Sequence, residues 1–163
     1  MGRKWRKIVL IAVVCLVLGG GVLYWLYGTG FAPGHSRLRI SEGEPVQYLQ
    51  GNGVVVIDQM ELSLGHQSQP DGYISIYNHS EILWKKPVTI PAGEGQLIKF
   101  TQGGSAVFPA PEVIYYWLCI QRPGKHAEDN LVTYYIEAKL LGGDEDAAEN
   151  KLLKLAENWE VPD

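Results

Sequence analysis

The apolar positions follow a different rhythm in each part of this chain. From Ile8 to Tyr27 they run without a charge, IVLIAVVCLVLGGGVLYWLY. Twenty helical residues at about 1.5 Å each span roughly 30 Å, the thickness of a bilayer's hydrocarbon core, so the pattern predicts a transmembrane helix. Beyond a Gly/Pro-containing linker at 28–36 the rhythm shortens to two. Met60, Leu62 and Leu64 alternate with Gln59, Glu61 and Ser63, and Val132, Tyr134, Ile136, Ala138 and Leu140 alternate with Thr133, Tyr135, Glu137 and Lys139. Strict alternation predicts strands with one wet face. Strands are expected near Pro45–Gln50, Val54–Leu64 with a bend at Asp58-Gln59, Gly72–Tyr77, Ile82–Ile90, Gln96–Thr101, Val113–Gln121 and Leu131–Leu140, separated by Gly, Pro, Asn and Asp clusters. In VIYYWLCI, Val113–Ile120, both faces are apolar or aromatic, which predicts a central strand covered on both sides. After Gly142-Gly143 the period lengthens again: Ala148, Leu152, Leu155 and Trp159 recur at helical spacing over 144–160, with Asp144 placed to cap the first turn. The fold class expected is a single N-terminal transmembrane helix, a mainly-β sandwich over 37–141, and a C-terminal amphipathic helix.

The flanks of the first segment give it a direction. Arg3, Lys4, Arg6 and Lys7 form a cationic head over residues 1–7, and no cation follows the span until Arg37. The positive-inside rule then keeps the N-terminus cytoplasmic and puts the rest of the chain in the periplasm or outside the cell. Trp5 on one side and Tyr24, Trp25 and Tyr27 on the other suit the two membrane interfaces. A cleaved signal would carry a shorter apolar core and a small-x-small site, whereas this core ends in bulky aromatics, so the span reads as a retained signal anchor in the inner membrane. Val14 before Cys15 and Arg6 at the sixth position argue against lipidation and myristoylation. Gly19, Gly20 and Gly21 bare one stretch of the helix, where another helix, a lipid or a pigment could approach.

Charge narrows the functions. Residues 28–143 carry 8 basic and 11 acidic side chains, and 144–163 carry 2 and 7, in a chain of net charge −4. An acidic outer portion without a basic stripe excludes a nucleic-acid partner. The two cysteines, Cys15 and Cys119, fall in different phases and predict no disulfide between them.

Candidate chemistry centres on Cys119, His126 and His66. An aromatic strand ending in cysteine and followed by histidine resembles the cupredoxins, which hold copper with two histidines, a cysteine and usually a methionine. Here no methionine follows, Met1 and Met60 being the only two, and a cysteine inside an apolar strand is expected to be an inert buried thiol. No zinc-ligand spacing joins His35, His66, His79, Cys119 and His126. The run Val54–Leu140 resembles immunoglobulin-like or cupredoxin-like sandwiches on single anchors, an architecture that serves adhesion, assembly and electron transfer alike. Tyr73 and Tyr77 fall opposite Ile74 and Ile76, and Tyr116 opposite Tyr115 and Trp117. With Leu152, Leu155 and Trp159 of the terminal helix, these are the expected interface residues. No catalytic residue and no resident cofactor is predicted. The expected function is that of a non-catalytic single-pass accessory subunit, stabilising a larger photosynthetic or respiratory membrane assembly beside other integral subunits. A tethered copper or ligand-binding module is the alternative.

Overall fold

The computed structural model describes residues 35–41, 47–69, 73–103, 111–124 and 131–162. The predicted span at 8–27, the interface aromatics Trp5, Tyr24, Trp25 and Tyr27, the glycines Gly19, Gly20 and Gly21, and His126 lie outside the described residues. No helix among the described residues is long and apolar enough to cross a membrane.

Among the described residues, two antiparallel sheets and one short helix build the domain. The smaller sheet combines β1 (Arg37–Ile40), β2 (Gln47–Gln50) and β9 (Trp159–Glu160) in the order β2-β1-β9. The larger combines β3 (Val54–Ile57), β4 (Met60–Gln69), β5 (Ser80–Ile90), β6 (Gly93–Gln102), β7 (Val113–Pro123) and β8 (Leu131–Leu140) in the order β3-β4-β8-β7-β6-β5. The bend expected at Asp58-Gln59 is a hairpin turn: both residues have positive φ, 45° and 62°, which is the two-residue turn whose twist matches the strands it joins.

Alternation along the large sheet sorts its side chains onto two faces. On the first, Leu62 and Leu64 of β4 stand beside Ala138 and Ile136 of β8, and Leu118 of β7 beside Leu97 of β6. This face is sealed by Leu38, Ile40 and Leu49 of the small sheet, by Trp159 of β9, and by the helix α1 (Glu145–Ala156) through Ala148, Leu152, Leu155 and Ala156. Asp144 caps α1 as the sequence indicates, its carboxylate accepting from the Asp146 and Ala147 amides at 2.8 and 3.1 Å. The helix ends at Ala156, short of Trp159. The Glu157 and Asn158 amides donate to Lys154 and Leu155, a tight turn follows, and Trp159 pairs with Leu38 as a strand residue. Lys86–Glu149, Lys99–Glu145 and Lys151–Asp58 ion pairs tie α1 to its surroundings.

The second face carries a separate cluster, Ile98, Phe100, Trp117 and Cys119. β7 is therefore covered on both sides, as its composition demands: Tyr116, Leu118 and Ile120 enter the first core and Trp117 and Cys119 the second. Unlike an immunoglobulin-type sandwich of two similar sheets, the domain has one large sheet, covered by a small sheet and helix on one side and by a strap of chain on the other.

Candidate functional site

The strap is residues 73–77, extended but paired to no strand. Its alternation had suggested a strand, and the structure shows what replaces the ladder: the Gln67 carboxamide donates to the Ser75 carbonyl at 2.8 Å and accepts from the Ser75 amide at 3.1 Å. One side chain thus satisfies both backbone groups of Ser75, as a neighbouring strand would. Ile74 and Ile76 pack against the second cluster, which turns Tyr73 outward, 63% exposed. Tyr77 is 40% exposed and folds its ring over the sheet, edge-on to Trp117 at 5.5 Å.

Beneath it lies an aromatic array. Phe100 stacks on Tyr115 at 5.3 Å, and Trp117 stacks on Tyr135 at 4.3 Å. The Tyr135 ring lies over a glycine: a Cβ at Gly65 would sit 2.3 Å from that ring, so any other residue there would force the ring to shift. Glu137 links strap and array, accepting from the Tyr77 hydroxyl at 2.6 Å and from Trp117 Nε1 at 2.7 Å. Burial first, and then this bond to Glu137, raise the Tyr77 pKa, and burial raises those of Tyr115 and Tyr135. All three stay neutral phenols through the physiological range.

Alongside the strap opens a cleft of about 420 Å³, bounded by Tyr73 and Ile74, by Lys85, Glu94 and Gln96 of β5 and β6, and by Cys119 and Gln121 of β7. Cys119 is its floor, 1% exposed, and burial pushes its thiol up to about 12 against a small opposing pull from Lys85. A thiol so placed is protonated and shielded, the reverse of what a nucleophile or a thiolate ligand requires. The cleft offers donors, acceptors and an exposed ring, which is equipment for holding a polar molecule.

The metal candidates do not converge. His66 follows Met60, Leu62 and Leu64 in alternation, and its ring lies 6.1 Å from that of Tyr134, on the first face, whereas Cys119 is on the second. The sheet stands between them, so they cannot share one ion. His66 instead meets His35 edge to face at 5.5 Å. Among the described residues no group of three or more His, Cys, Asp or Glu is placed to hold a metal.

Tyr116, Leu152, Leu155 and Trp159 are 1%, 0%, 4% and 3% exposed, inside the domain's own core. As interface candidates they are corrected by that packing: the apolar stripe of α1 is spent on the first face of the sheet. Tyr73 and Tyr77 remain at the surface. Sequence reasoning missed Gln67 and Glu137, the two side chains that fasten the strap. Both sit on the polar phase of an alternating strand, where only the neighbouring segment gives them work.

Compared with known proteins, the chain matches no family model, no curated protein and no solved structure.

Proposed function

We propose that this chain is a single-pass, non-catalytic accessory subunit of a larger membrane assembly. Residues 8–27 anchor it with the N-terminus in the cytoplasm, and the outer domain braces a neighbouring integral subunit. The observation that carries the reading is the strap: a short segment, fastened by Gln67 and Glu137, that presents Tyr73 outward and leaves Tyr77 partly exposed over the sheet, while the large aromatics of β7 are packed inside. Tyrosines on a fixed support give large contact area at small entropic cost, the composition favoured at protein interfaces. A photosynthetic or respiratory assembly is the first kind to test, with a lipid or pigment against Gly19–Gly21 as a further contact.

Native membranes solubilised in mild detergent test this directly. The chain should migrate with larger subunits, Tyr73→Ala should loosen that association while the strap stays fastened, and Gly20→Leu should weaken it without unfolding the outer domain. Migration free of any other polypeptide would overturn the reading.

The cleft beside Cys119 favours a second reading, a tethered module for a small polar ligand. It predicts that Gln96→Leu and Tyr73→Ala abolish ligand-induced shifts of the cleft's side-chain amide signals, with the fold unchanged.

A further inference from the structure

The large sheet ends in two outer strands that are protected very differently. β5 is blunted in three ways: its register is broken between Ile82 and Trp84, it carries Lys85 and Lys86, and Pro87 has no amide to offer. These are the devices by which natural sheets discourage edge pairing. β3 reads Val-Val-Val-Ile, with no charge, proline or bulge, and Val54 and Val56 are 57% and 59% exposed. We propose that β3 pairs antiparallel with β3 of a second copy of this chain, about a two-fold axis through Val55, joining two six-stranded sheets into one.

The hairpin fixes which backbone groups are available. In a two-residue turn the flanking pair, here Ile57 and Met60, exchanges both hydrogen bonds, and the pattern alternates from there. The backbone groups of Ile57 and Val55 are therefore turned toward β4, and those of Val54 and Val56 are turned outward.

Side chains impose a second condition. Residues opposite one another across a sheet must lie on the same face, and Val54 and Val56 share the second face while Val55 and Ile57 share the first. An axis through Val55 meets both conditions. It sets Val54 against Val56 of the second copy, and the reverse, so that all four outward amides and carbonyls of the two strands bond in two complete pairs. The exposed valines then form one apolar patch on the second face, and Asp58 falls opposite Asn52 rather than another carboxylate. A slip by one residue would put Val54 against Ile57 on the wrong face. Centring the axis on Val54 or Val56 would run the strand into Asn52 or Asp58, both in turns. The edge is complementary to itself, which is why a second copy is the occupant.

Cysteine trapping tests the register in the full-length chain, with Cys15→Ser as background and Cys119 buried. Directly opposed residues that are not hydrogen-bonded bring their Cβ atoms to about 4.5–5.5 Å, close to disulfide reach, while residues offset by two lie at about 7–8 Å. Val55→Cys should therefore give disulfide-linked dimers under mild oxidation at least about tenfold faster than Val54→Cys or Ile82→Cys. Adding Val56→Lys should suppress the Val55→Cys dimer, and circular dichroism confirms that each variant is folded. Equal trapping at all three positions, trapping that survives Val56→Lys, or a Val55→Cys chain that stays monomeric would overturn the proposal. Association with other subunits through Tyr73 and Tyr77 is read separately and can fail or hold independently of this pairing.

Discussion

Cys119 shows how one residue's setting decides its chemistry. Its apolar neighbours on β7 mark it as buried, and the structure leaves it 1% exposed. The sequence could not place it at the bottom of a cleft, because the strap that makes the cleft's wall comes from a segment more than forty residues earlier. A thiol whose folded pKa is raised stabilises the fold in its neutral form. That contribution is fully present below the ordinary thiol value near 9 and is lost as the pH climbs toward about 12. Tyr77, Tyr115, Tyr116, Tyr134 and Tyr135 are shifted in the same direction and add to the alkaline loss. In a Cys15→Ser chain, a thiol reagent at about pH 8 should leave Cys119 unlabelled until denaturant unfolds the domain. Labelling of the folded chain at the rate of a free thiol would show the cleft to be open to its floor. Cys119→Ala should lose less stability than the parent above pH 9, measured by denaturant midpoints across the alkaline range.

At the scale of elements, α1 is held by two kinds of contact whose worth differs. Lys86, Glu145 and Asp58 are 42%, 44% and 69% exposed in their ion pairs, so each pair contributes about 0–1 kcal/mol and is weakened further by salt. Leu152 is fully buried among the first core, and truncating such a leucine costs about 2–5 kcal/mol. Urea unfolding should accordingly show Leu152→Ala losing several times the stability lost by Lys86→Ala, and high salt should scarcely move the parent. The helix and its cap were legible because Asp144 and the 3.6-residue stripe are local signals. Which surface the stripe covers was not legible, since any apolar face would satisfy it. β1 escaped notice because Arg37-Leu38-Arg39-Ile40 has only two apolar positions and gains its identity from Leu49 and Trp159 across the small sheet. The strap differs from its sequence pattern for the converse reason: its Tyr/Ile alternation is that of a strand, but a glutamine side chain, and no ladder, satisfies its centre.

For the described domain taken whole, the two clusters raise the question of whether it unfolds in one step or two. Every residue of β7 from Tyr116 to Ile120 is buried, alternately in one cluster and the other, and over this stretch the strand pairs with both β6 and β8. Neither cluster can be dismantled while β7 stays in place with the other intact, because the same backbone carries both. The coupling argues for one cooperative transition. Trp117 reports the second cluster and Trp159 the first, so two single-tryptophan chains can watch them separately, with the remaining four of the five tryptophans replaced by phenylalanine in each. In the full-length chain, their fluorescence midpoints in urea should coincide. A Trp117 transition at lower urea would mean that releasing the strap melts the second cluster alone. In that case Gln67→Leu, which removes both bonds to Ser75, should lower the Trp117 midpoint and leave that of Trp159 where it was. With a single transition, the same substitution should move both midpoints together, since whatever weakens one face of β7 weakens the strand on which the other face is built.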